Sequence, residues 1–177
     1  MEQFIIRIKT IICAVLILSG LAIPVEIFGQ GKFSVTGGFS TAEFLNIGVK
    51  YRIMQSQIGL SSGFIPAYSY QSFTVSGNFS YHFGGSSKFS DLHPWYGKSG
   101  LLYIVDEDAY LLDKGLYLPI QIGRNFNISN KIGINFELGL EFLLTNDRTI
   151  KKMSNAEFGV SEASSFPCFG IGCFYRL

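Results

Sequence analysis

Between Ile132 and Leu144 the chain places Ile132, Ile134, Phe136, Leu138, Leu140, Phe142 and Leu144 at every second position, with Gly133, Asn135, Glu137, Gly139 and Glu141 between them. An amphipathic helix repeats its apolar residues every three or four positions, so this run excludes one. It demands an extended strand with one apolar and one polar face. The same alternation recurs in Phe44–Ile53, where Leu45, Ile47, Val49, Tyr51 and Ile53 alternate with Asn46, Gly48, Lys50 and Arg52. In Phe73–Phe83, Phe73, Val75, Phe79, Tyr81 and Phe83 alternate with Thr74, Ser76, Asn78, Ser80 and His82. Period two sustained over about ten residues and interrupted by turn residues is the pattern of a transmembrane barrel. Strands of a soluble sandwich are shorter, at about five or six residues.

Eight such segments are predicted, at 32–40, 43–53, 57–65, 70–83, 95–105, 115–126, 131–145 and 166–177. The fifth is the weakest, because Leu101 to Val105 is apolar on both faces. The expected fold class is all-β: an eight-stranded antiparallel up-and-down transmembrane β-barrel preceded by a cleaved signal peptide. Composition agrees, with 17 Phe, 9 Tyr and 20 Gly but only 15% charged residues in 177. The net charge is +1 and the charges are scattered. No basic cluster with interleaved aromatics offers a nucleic-acid surface.

The first residues read as an address. Arg7 and Lys9 form a basic start, and Ile11 to Ile23 is apolar apart from Ser19 and Gly20. That run is shorter than the roughly 20 residues of a spanning helix and has the length of a signal-peptide core. Pro24 ends it, and Ile27-Phe28-Gly29 offers a cleavage point. Residues 1–29 are therefore expected to be a signal peptide and 30–177 the barrel domain. Cys13 lies inside the apolar core with no lipobox before it. In the remaining chain Cys168 and Cys173 would lie roughly 16 Å apart on one strand, too far for a disulfide. They read as small apolar residues, and C-x4-C without further ligands makes no metal site.

Connections in a transmembrane barrel alternate between short turns on one side and longer loops on the other. Met54-Gln55-Ser56 and Asn127–Asn130 are short and fall on the periplasmic side. Asn146–Ser165 is longest and falls outside. Two connections break the pattern: the one near Thr41 is short for an outer loop, and Gly84–Pro94 is long for a periplasmic turn. Pro119 lies within the sixth segment, where a closed barrel has no edge to accommodate it, so a bulge or local irregularity is expected there.

The polar face defines a lumen. Lys50, Arg52, His82, Glu137, Glu141 and Arg176 point inward by alternation and are expected to form a paired, structural polar network. An eight-stranded barrel is just wide enough for such side chains, so open conduction is not expected. A soluble lipocalin-like ligand-binding barrel is the alternative architecture, and it would turn the apolar face inward.

Leu116-Tyr117-Leu118-Pro119-Ile120 resembles the L-x-L/I-P-L/I run of the outer-membrane β-barrel proteins common in Bacteroidota, a group of small OmpA/OmpX-like or porin-family barrels. Ile122-Gly123-Arg124-Asn125-Phe126 followed by Lys131-Ile132-Gly133 is similar too. The end Phe174-Tyr175-Arg176-Leu177 resembles the terminal signal read by barrel-insertion machinery. The resemblance implies an outer-membrane location in a Gram-negative envelope, with outer-membrane lipid, lipopolysaccharide and that machinery as partners. It does not carry an activity, since members range from stability or adhesion barrels to secretion components.

No catalytic, cofactor or metal constellation stands out, and none is expected. A lipid A-modifying enzyme, the competing hypothesis, would need His82 exposed beside a Ser and an acid. Gly84 stands two positions after His82, so the H-x-S spacing of such enzymes is absent. Asp106-Glu107-Asp108 is expected at a solvated tip in the third outer loop, although acids can bind a divalent cation. Arg148, Lys151 and Lys152 are expected in the long outer loop, where they could meet lipopolysaccharide phosphates. Asn78-Phe79-Ser80 and Asn127-Ile128-Ser129 match glycosylation sequons without weight here. Gly170-Ile171-Gly172 opens no helix and is no nucleotide site. The expected role is a non-enzymatic one, structural or in surface interaction, with 146–165 presenting to an external partner that these residues do not specify.

Overall fold

The computed structural model describes residues 31–66, 70–108, 110–150 and 165–177. The proposed signal peptide falls outside them. The described residues form strands β1 Phe33–Ser40, β2 Phe44–Ile53, β3 Ser56–Pro66, β4 Tyr70–Gly84, β5 Trp95–Asp108, β6 Leu111–Asn127, β7 Ile132–Ile150 and β8 Ser165–Arg176. Each pairs antiparallel with the next, and β1 pairs with β8 from Ser34↔Arg176 to Ser40↔Gly170, which closes the barrel. Closure satisfies every strand edge around the wall. All eight predicted segments are present within a few residues of their expected bounds. No helix among the described residues is long and apolar enough to cross a membrane.

Below, the lower end is the one where β1 starts and β8 finishes, and the upper end is the opposite one. The lower turns include Met54-Gln55, in which Met54 sits at φ 55°. The rim is uneven: β1 has 8 residues, whereas β6 has 17 and β7 has 19, so the β5–β7 wall stands tallest above β1.

Alternation sorts the two faces. Ile47, Val49, Leu60, Val75, Leu101, Ile120, Leu138 and Ile171 are exposed on the outer surface, with Tyr81, Trp95, Phe126 and Tyr175 toward its lower edge. Ser34, Thr74, Asn78, Ser80, Gln121, Asn125, Asn135 and Glu137 are buried in the lumen. This is the reverse of the inward apolar face that a lipocalin-like barrel would need. Leu102, in the ambiguous fifth segment, points inward and is 1% exposed.

Pro119 does create an irregularity. The β5–β6 ladder runs from Ser99↔Ile120 to Leu102↔Tyr117 with no pairing between, because Pro119 has no amide to donate. The bulge itself lies a little above, between Leu116 and Tyr117 against β7. The residues expected in outer loops require correction. Asp106, Glu107 and Asp108 continue β5, and Asn146 to Ile150, including Arg148, continue β7. Strand pairing carries the sheet upward there, so polar residues that read as loop tip are wall. Lys151 and Lys152 lie outside the described residues.

Candidate functional site

The lumen is the candidate site, and three clusters occupy it from top to bottom. At the top, the short β1–β2 connection folds inward rather than outward. Ala42 is 6% and Glu43 9% exposed. The Ser61 hydroxyl donates to Glu43 Oε1 at 2.9 Å, and the Ser76 hydroxyl donates to the same oxygen. The Glu43 amide donates to Ser40 Oγ at 2.9 Å, and the Thr41 amide donates to the Phe169 carbonyl at 3.0 Å. Gly63 passes directly beneath, where a Cβ would sit 1.8 Å from the Glu43 carbonyl oxygen. The turn is short because it is a stopper held from both sides.

In the middle, Lys98 Nζ donates to Glu137 Oε2 at 2.7 Å. The Tyr96 hydroxyl donates to Glu137 Oε1 at 2.8 Å, and Asn135 Nδ2 donates to it at 3.3 Å. Lys50 Nζ stands 5.9 Å from the Tyr96 ring centroid, a cation–π distance. A cavity of about 40 Å³ lies among Glu43, Lys50, Asn78, Lys98, Asn135 and Glu137. That is room for about three waters and no larger ligand.

At the bottom, the long 85–94 connection closes the mouth. Leu92 is 2% exposed, and Gln55 clamps the connection by donating Nε2 to the Asp91 carbonyl at 2.8 Å and accepting from the His93 amide at 3.0 Å. His82 Nδ1 donates to the His93 carbonyl at 2.6 Å, while Nε2 lies 3.2 Å from Gln57 Oε1. The His82 ring also packs on Tyr96 at 4.8 Å between centroids. Both connections that break the loop-length rule are thus plugs.

Of the six residues expected in the lumen network, the structure brings Lys50 and Glu137 together around Tyr96. His82 joins through the same ring. Arg52 and Arg176 sit lower and have carbonyl partners instead of acids. Arg52 Nε donates to the Met54 carbonyl at 2.9 Å, and Arg176 donates to the Asn130 carbonyl at 3.0 Å and to Asn127 Oδ1. Glu141 is 7% exposed, and its Oε1 has no hydrogen-bond partner among the described residues. Lys98, Tyr96 and Glu43 carry much of the site and were not singled out from the sequence. Tyr96 and Lys98 do alternate, but Gly97 and Ser99 between them hide the apolar face that would reveal it. Glu43 had no signal, since a turn residue carries no periodicity.

Cys168 is buried and Cys173 is exposed on the opposite face, both unpaired. Gln121 Nε2 donates to Cys168 Sγ at 3.1 Å. Among the described residues no three of His, Cys, Asp and Glu gather as metal ligands.

The barrel is similar to the crystal structure of Neisserial surface protein A (NspA), with a TM-score of 0.48 and 11% identity over 84% of this chain and 99% of that one. No family model and no curated protein matches the chain.

Proposed function

We propose that the chain is a non-enzymatic outer-membrane barrel of a Gram-negative envelope, closed to solutes, with a structural or surface-interaction role. The observation that carries this is the inversion of the usual protein plan: a broad band of exposed Leu, Ile, Val and Phe outside, and a polar, plugged lumen inside. Such a surface is stable only against lipid. The lower end is then periplasmic and the upper end external, with Trp95, Tyr81, Phe126 and Tyr175 at the periplasmic lipid interface. Arg124 supports that depth, since its guanidinium stacks on Trp95 at 5.1 Å and on Phe126 at 4.9 Å. The partners are outer-membrane lipid and lipopolysaccharide, together with the insertion machinery reading β8. The small outer-membrane barrels of Bacteroidota remain the family that the strand-six and terminal motifs point to.

Lipid A modification is the weaker reading. Its chemistry needs a lipid-facing His beside a Ser and an acid, whereas His82 is 1% exposed inside the barrel with its ring nitrogens at His93 and Gln57. Arg148 is also less available to lipopolysaccharide phosphate than a loop arginine, because it pairs with Asp113 at 2.7 Å.

The deciding experiment is gel mobility of the protein from isolated outer membranes, with and without boiling. Faster migration before boiling supports the closed membrane barrel. Recovery as a soluble protein without a shift overturns it. Unaltered lipid A in mass spectra after expression keeps the non-enzymatic reading, and lipid A altered by the wild type but not by His82→Ala replaces it.

A further inference from the structure

On the tall wall, strand alternation splits the acidic run that looked like a loop tip. Glu107 is exposed, whereas Asp106 stands in direct register with Ser72 of β4 on one side and Asp113 of β6 on the other. Asp113 stands in turn opposite Arg148 of β7, and Arg148 Nη2 donates to its Oδ2 at 2.7 Å. Four strands therefore present the row Ser72, Asp106, Asp113, Arg148 on one inner face near the upper rim.

Three oxygens in this row have no hydrogen-bond partner among the described residues although each is buried: Ser72 Oγ, Asp106 Oδ1 and Asp113 Oδ1. Ser72 as a whole is only 3% exposed, and Thr74, the next inward residue on its strand, is fully buried with its hydroxyl also unpartnered. Directly opposed residues of an antiparallel pair have Cβ atoms about 5 Å apart, and like charges so placed repel. Arg148 neutralises one carboxylate through Oδ2 and leaves one negative charge on the row. Its grip on Oδ2 leaves Oδ1 as the remaining ligand atom on Asp113. Below the pair, the Tyr117 ring folds across the bare Gly115, where a Cβ would meet Cε2 at 2.5 Å and the phenol oxygen at 3.0 Å, so this ring forms the floor beneath the row.

We propose that Asp106 Oδ1, Asp113 Oδ1 and Ser72 Oγ bind a hard divalent cation, calcium or magnesium, at the upper mouth of the barrel. Three oxygen donors without nitrogen or sulfur select these ions over zinc or copper. Water completes the shell, as these ions accept readily. A site of two carboxylates and a hydroxyl belongs with weak modules, of dissociation constant about 10⁻⁴–10⁻³ M. Such a site joins β4, β5 and β6 where the wall rises highest above its neighbours.

The test is calorimetric titration of the purified full barrel in detergent micelles with calcium chloride and with magnesium chloride after chelator treatment, with thermal unfolding recorded beside it. The expected result is saturable binding and a raised unfolding midpoint. Asp106→Asn and Asp113→Asn should each weaken binding at least tenfold, and Glu107→Gln, one residue away but outward, should leave it unchanged. Should one aspartate variant fail to fold, the other carries the comparison. A wild-type barrel that takes up neither ion overturns the site, as does equal binding by the Asp→Asn variants.

Discussion

Lys98 and Glu137 form an ion pair at 2.7 Å although their strands, β5 and β7, are not neighbours. β6 runs between them, with Gln121 in register with Lys98 and Gly123 in register with Glu137. The pair can reach across because Gly123 presents no side chain and the Tyr96 ring occupies that space, where a Cβ would lie 2.4 Å from Cζ. One bare position thus lets three side chains meet over a strand.

Removing Glu137 tests the pair. Glu137→Ala takes from Lys98 its hydrogen-bonded ion-pair partner and from the Tyr96 hydroxyl its acceptor. The expected loss is about 3 kcal/mol. Urea unfolding in lipid vesicles, followed by fluorescence of the single Trp, Trp95, reads it. Lys98→Met with Glu137→Leu should recover part of the loss, because the Lys98 charge goes with its partner while Lys50 and the Tyr96 hydroxyl still lose Glu137. Unchanged stability of Glu137→Ala would mean the pair contributes nothing.

Gly123→Ala should cost about 1–3 kcal/mol, since the new methyl meets a ring confined by the lumen. Gly97→Ala, on the outer face with open space around its position, is the matched control and should stay within about 0.5 kcal/mol. Equal costs at both glycines would sink the argument from Tyr96.

Lipid contact predicts a depth dependence. Leu138, 63% exposed at mid-wall, should lose about 2–4 kcal/mol on change to Arg. Ile132 at the lower edge should lose only about 0–1 kcal/mol on the same change, because its side chain reaches the interface. Folding titrations of the two variants in the same vesicles compare them, and equal penalties would argue against the band as a bilayer.

Met54 is a place where the chain is not at its stability optimum. It is 84% exposed at φ 55°, so it has strain without packing in return. The left-handed conformation costs about 1–2 kcal/mol for a residue with a Cβ, and glycine loses back about 0.5–1 kcal/mol in chain entropy. Met54→Gly should therefore gain about 0.5 kcal/mol in the same urea assay, and a destabilised variant would show that the turn is not strained.

What could be read from residues alone was whatever repeats along a strand. Alternation of Leu45 to Ile53, Phe73 to Phe83 and Ile132 to Leu144 specified strand positions, the apolar and polar faces, and so the inward direction of Lys50, His82, Glu137 and Glu141. The period of two comes from the backbone itself, so it survives in one dimension. The tertiary structure decided which inward groups meet, because register and closure bring together residues far apart in the chain: Lys98 with Glu137 across β6, Glu43 with Ser61 and Ser76 across the mouth, and Asp106 with Asp113 on the wall. It also turned two misfit connections into plugs and moved an acidic loop tip into a strand. A turn has no period and a cross-lumen contact has no fixed spacing, so neither leaves a mark that a linear reading can find.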